Sequence, residues 1–92
     1  MRTFSRTSQF KKDVKLADKR GKHLSKLRTV MDLLIQGESL PSEYRDHPLR
    51  GNFAGSHDCH IEPDWVLIYT LTEENSHVCF ERTGAHSDLF RS

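Results

Sequence analysis

The chain has too little of several things. It holds only two cysteines, Cys59 and Cys79, which cannot build the disulfide framework of a small secreted domain; they read as reduced, buried thiols. Its longest apolar run is residues 65–69, WVLIY, far short of the roughly 20 residues that cross a bilayer. The opening MRTFSRTSQF is charged but lacks the apolar stretch of a secretory signal. At 92 residues there is no room for a second core. Apolar residues are a lean 35% against 29% charged, yet Leu, Ile, Val, Phe and Trp fall in patterned clusters, so disorder is not the reading. These shortages exclude a membrane protein, a secreted knot, a multidomain enzyme and a coiled coil. The expectation is one soluble, cytoplasmic domain over residues 1–92, with no membrane partner.

What is abundant is charge, unevenly placed. Residues 1–28 carry ten Lys/Arg against two Asp, a net +8, and residues 29–92 carry four Lys/Arg against eleven Asp/Glu, a net −7. A basic half of this density is the footprint of a polyanion partner, although a solvated helix face has the same look.

The pattern along the chain is β-α-α-β-β-β. Residues 2–6 read as an edge strand. Thr7 or Ser8 caps a helix whose Phe10, Val14 and Ala17 share a face, and Gly21 ends it. Leu24, Leu27, Met31 and Leu34 mark a second helix, stopped by Gly37. On this helical hairpin Lys11, Lys15 and Lys19 line one side of the first helix and Lys22 and Lys26 one side of the second, all expected on the solvent face. Residues 38–55 read as a long loop that Tyr44, Leu49 and Phe53 pin to the body. SHDCHIE, WVLIYTL and SHVCFER read as three strands, the middle one buried on both faces, with turns at Pro63-Asp64 and Glu73-Glu74-Asn75. The last residues, AHSDLFRS, form a tail too polar to build core. The fold class is α+β: a helical hairpin on one face of a small, mostly antiparallel sheet, with the other face left open.

Six histidines dominate the chemistry. His47, His57, His60, His77 and His86 fall in the second half of the chain near Glu62, Asp64, Glu81 and Arg82. No phosphate-binding Gly-rich loop, nucleophile elbow or acidic magnesium cluster accompanies them. Histidine, carboxylate and arginine suit acid–base cleavage of a phosphodiester without a metal. A base takes the proton of an RNA 2′-OH, an acid protonates the departing 5′-oxygen, and a cation steadies the phosphoryl charge. Histidine titrates near working pH and arginine's planar fork matches phosphate oxygens. His57-x-Cys59 and His77-x-Cys79 form a rival set: if the two pairs met they would offer Cys₂His₂ to zinc. The spacing is atypical, and the expectation is that no metal or other cofactor is needed.

Three stretches, DHPLRG (46–51), HIEPDWVLIYTLT (60–72) and FERTGAHSDLF (80–90), together with KKDVKLADKR (11–20), resemble the YafQ branch of the RelE/ParE toxin superfamily. The resemblance covers nearly the whole chain. It implies the RelE-like fold and a ribosome-dependent mRNA endonuclease, the toxin of a type II toxin–antitoxin pair. It also implies as partners the ribosome, mRNA and a DinJ-like antitoxin, in a heterotetramer of two toxins and two antitoxins. Catalytic residues carried over from the motifs are His47, His60, Asp64, Arg82 and His86, with Phe90 on the substrate.

Within that set His86, four residues after Arg82, is the expected general acid and His60 the base. Asp64 is a turn residue, a second base or the carboxylate that orients His60. Arg82 is the phosphate clamp or a surface ion pair, and His47 closes over the substrate from its loop. Phe90 offers a stacking platform for a base. Trp65 is core, with an edge that could line the site, and Lys11, Lys15, Lys19, Lys22 and Lys26 are expected on ribosomal RNA. The alternative from another class is a toxin or nucleic-acid-binding module of the same fold that acts by binding alone.

Overall fold

A computed structural model describes residues 1–50 and 55–90. Five strands form one sheet in the order β1-β5-β4-β3-β2, from β1 (Thr3–Arg6), β2 (His47–Pro48), β3 (Ser56–Glu62), β4 (Trp65–Thr72) and β5 (His77–Ala85). Strand β1 runs parallel to β5 and every other pairing is antiparallel. Helices α1 (Ser8–Lys19) and α2 (Leu24–Gln36) precede β2, and a four-residue α3 (His86–Leu89) follows β5. The α+β order expected from the sequence is present. Three short elements are added, a 3-10 turn (Ser42–Tyr44) and β2 inside the long loop and α3 inside the tail. No helix is long and apolar enough to cross a membrane among the described residues.

Helix α1 starts where Thr7 Oγ1 accepts from the Phe10 backbone N–H, the side-chain cap that satisfies an orphan donor of the first turn. The same hydroxyl donates to the Glu81 carbonyl at 2.8 Å, so the cap also ties α1 to β5. Both helices stop on a glycine in the left-handed region, Gly21 at φ 79° and Gly37 at φ 81°. The next residue then bonds back into the helix, Lys22 N–H to Ala17 and Glu38 N–H to Leu33, as a glycine C-terminal stop requires.

The apolar stripe of the hairpin, Phe10, Ala17, Leu27, Val30 and Leu34, covers the sheet face made by Cys59, Ile61, Trp65, Leu67, Tyr69, Val78 and Phe80. Each large side chain buried here contributes about 1.5–3 kcal/mol. Strand β4 lies at the centre and is buried on both faces from Trp65 to Tyr69, which is why its sequence is continuously apolar. The opposite face is less open than expected. Val66, Ile68 and Leu89 form a second apolar cluster against which Leu49 and Phe90 pack. Leu89, in the polar tail, is 8% exposed; one leucine after a helical turn is too short a signal for periodicity to show. Tyr44 and Leu49 pin the long loop as expected, while Phe53 lies outside the described residues.

Candidate active site

Strand β3 sorts its residues by the two-residue period of a pleated sheet. Cys59 enters the main core, so its neighbours Asp58 and His60 face the other way, toward the second cluster. The ladder with β4 slips between His60 and Glu62, and the two-residue turn Pro63-Asp64 follows. That turn carries the Pro63 carbonyl to within 3.2 Å of His60 Nδ1. A carbonyl only accepts, so Nδ1 carries the proton and Nε2 is the acceptor of the neutral ring.

The short β2 pairs His47 directly with Asp58. It is held there by Asp46, which accepts a hydrogen bond from the Tyr69 hydroxyl. His47 Nδ1–H donates to the Pro48 carbonyl at 3.3 Å, and its Nε2 stands 2.8 Å from Asp58 Oδ1. Asp58 is 2% exposed. Burial pushes its carboxyl above the usual range, against the opposing pull of His47, His60 and His86. Its Oδ1 accepts no aligned hydrogen bond among the described residues.

Helix α3 adds the rest. It folds back after Gly84, where a Cβ would lie 3.4 Å from Leu89, and brings the His86 ring to 6.3 Å from that of His60. The Phe90 ring lies 4.6 Å from His86. Four residues expected from the sequence, His47, His60, His86 and Phe90, therefore gather on one face around a buried carboxylate. That carboxylate, Asp58, was not singled out in the sequence. Its signal was available: Asp58 and His60 are two apart in a strand and so share a face.

Asp64, Trp65, Arg82 and Lys22 instead line a separate groove of about 580 Å³, with Arg20 and Asp88 among its other walls and none of the clustered histidines. Arg82 grips Asp13 with two bonds, Nε to Oδ2 at 2.7 Å and Nη2 to Oδ1 at 3.2 Å. Asp13, 7% exposed, also accepts from the Thr83 backbone N–H and from Gln9. This contact raises the already high pKa of the guanidinium. Asp64 is exposed in its turn, and it is the Pro63 carbonyl that fixes Nδ1 of His60. Trp65 is core, 1% exposed, its Nε1–H bonded to Thr83 Oγ1.

Lys11, Lys15 and Lys19 are exposed on α1. Lys26, exposed as expected, and Lys22, half-buried, both reach across to Glu62, at 2.9 and 3.3 Å. Their hydrogen bonds, led by Lys26, lower its carboxyl pKa. The zinc set does not assemble. His57 and Cys59 pair with Tyr69 and Leu67 on the hairpin face, whereas His77 and Cys79 pair with Thr72 and Thr70, whose side chains alternate to the opposite face.

Comparison with known proteins agrees on the relatives. The family model described as "Bacterial toxin of type II toxin-antitoxin system, YafQ" matches residues 2–91. The chain is 52% identical over 85 residues to the mRNA interferase toxin YafQ of Escherichia coli strain K12, covering 91% of this chain and 90% of that one. Its fold is similar to the toxin in the Escherichia coli DinJ–YafQ complex, with TM-score 0.90, 49% identity and coverage of 98% and 99%. It is also similar to a metal-bound toxin from Helicobacter pylori, with TM-score 0.89, 34% identity and coverage of 98% and 100%.

Proposed function

The chain belongs to the YafQ family of bacterial type II toxins, and from that membership and the site above we propose that it is an mRNA interferase that cuts mRNA on the ribosome. Its control partner is an antitoxin of the DinJ kind, as in the similar complex. The mechanism is metal-independent. The observation that carries it is the orientation of His60: with Nδ1–H held by the Pro63 carbonyl, the Nε2 lone pair is left to take the 2′-OH proton. His86, whose ring lies 6.3 Å from that of His60, protonates the departing 5′-oxygen. Phe90 against His86 supplies the face on which a neighbouring base stacks.

Asp58 and His47 flank the base, and His47 closes over the substrate from β2. Arg82 reaches the phosphate through the N–H groups that Asp13 does not occupy, for a guanidinium has five donors. Asp64 borders the RNA path from the groove side, and the exposed lysines of α1 meet ribosomal RNA.

The test is cleavage of a defined mRNA on translating ribosomes, with and without a 2′-deoxy nucleotide at the cut site. The all-ribose message should be cut to a 2′,3′-cyclic or 3′-phosphate end, in EDTA so long as ribosomal magnesium is maintained separately. The deoxy message should stay whole. Deoxy cutting at an undiminished rate would sink the self-attack mechanism, and arrested translation of an uncut message would favour a toxin that acts by binding alone.

A further inference from the structure

The cluster of His47, Asp58 and His60 is short of a cation. Both imidazoles commit Nδ1–H to a backbone carbonyl, His47 to Pro48 and His60 to Pro63. That leaves Nε2 of each ring as a lone pair in the neutral form. The Asp58 Oδ1 beside them is buried and takes no aligned hydrogen bond among the described residues. One ligand atom from each of the three residues lies within 4.8 Å of the others. His47 Nε2 and Asp58 Oδ1 approach to 2.8 Å, a separation at which two acceptors repel unless a positive charge joins them. One proton settles one such contact; it cannot serve three ligand atoms that all lie within 4.8 Å of one another.

We propose that this cluster is a site for a divalent transition-metal ion of the zinc–copper class, and that an ion bound there switches the nuclease off. Two imidazole nitrogens and one carboxylate oxygen suit zinc, nickel or copper, whereas magnesium and calcium prefer an all-oxygen shell. Three protein ligands leave a fourth position for water. The carbonyl contacts on both Nδ1 atoms are the outer partners that ligating histidines need to hold ring and tautomer. Asp58 sits on rigid β3. His47 sits on the exposed two-residue β2, so it can close the last fraction of an ångström onto an ion. The switch rests on the cleavage reading above: the ion takes the Nε2 lone pair of His60 that otherwise accepts the 2′-OH proton. The metal is an inhibitor here, and cleavage proceeds without it.

The experiment is calorimetric titration of zinc sulfate into the full chain, paired with single-turnover cleavage at fixed magnesium. One ion per chain should bind. His47→Gln, at an exposed position, and Asp58→Asn, which keeps the buried shape, should each weaken binding by more than the ~10–100-fold typical of losing only an outer partner. His23→Gln, on an exposed histidine outside the site, should bind as the parent does. The cleavage rate should fall with the occupancy found by calorimetry and return when a zinc-selective chelator is added. No stoichiometric zinc on the parent chain, or parent-like affinity in His47→Gln, overturns the site. An unchanged rate at full occupancy overturns the switch. A chain that never cuts RNA disposes of the cleavage reading, and calorimetry still decides the site.

Discussion

At the scale of single residues, Arg82 has two claims on it. The sequence offers a strand-end arginine near histidines, which suits a phosphate clamp, and the structure adds the bidentate grip on Asp13. Removing the arginine leaves a buried carboxylate without its charge partner, at about 1–3 kcal/mol, a figure held down because a third of the Arg82 side chain is exposed and solvent screens the pair. If Arg82 also holds the phosphate, Arg82→Ala slows the chemical step by ~10²–10³-fold. Adding Asp13→Asn separates the two claims, since the amide still accepts from the Thr83 N–H but carries no orphan charge. The double variant should regain stability in urea while single-turnover cleavage stays low. Cleavage that recovers along with stability would make Arg82 a positioning residue only. Asp13 was invisible in the sequence for a physical reason: an acidic residue beside Lys12, on a helix rich in lysine, reads as solvent-facing. Only the approach of β5, 69 residues away, buries it. Asp58 was legible, because the strand period alone puts it beside His60.

At the scale of elements, the fold was legible wherever a period ran long enough. Helices α1 and α2 and strands β3, β4 and β5 each offer seven or more residues of pattern with glycine or a turn at the end. Strand β2 and helix α3, with two and four residues, have no period to read and exist through tertiary contacts. For β2 the contacts are the Tyr69–Asp46 hydrogen bond and the pairing with Asp58 and His57. The sheet centre makes its own pH prediction. Burial first, then the hydrogen bond to Asp46, pushes the Tyr69 hydroxyl above its ordinary 10.0, and burial does the same to the Cys59 thiol above 9.0. Both groups stay protonated in the fold when the unfolded chain has begun to lose those protons, so the unfolded state binds fewer protons and stability falls as pH rises. The stabilisation is whole below pH 9 and declines above 9 to 10, by about 1.4 kcal/mol per pH unit for each group. Urea midpoints between pH 8 and 11 should show this fall, and Tyr69→Phe should flatten the part above pH 10. Equal slopes in the two chains would mean that the hydroxyl is free to ionise in the fold.

At the scale of the whole molecule, the +8 and −7 halves meet in the folded chain. Lys22 and Lys26 lie on Glu62 and Arg20 on Asp88, so part of the asymmetry joins the helical hairpin to β3 and α3. What stays outward is the row Lys11, Lys12, Lys15 and Lys19 on α1, all exposed. A row of like charge that the fold does not neutralise favours an acidic partner. The antitoxin segment that covers this toxin should therefore be acidic and disordered when alone, folding as it wraps the basic face. Such a complex is held in part by charges near the surface, and these are screened over a Debye length that shrinks from about 10 Å at 0.1 M salt to about 3 Å at 1 M. The dissociation constant of toxin with antitoxin, measured across that range, should rise with salt. Replacing Lys11, Lys15 and Lys19 together with glutamine should reduce the slope as well as the affinity, because removing the charges removes what salt screens. The competing picture has an apolar footing as well: Phe4 is 51% exposed and Leu16 46%, and burial of such groups does not weaken with ionic strength. An affinity that holds constant with salt, or a slope untouched by the three glutamines, would place the antitoxin on those apolar groups and leave the lysine row to RNA.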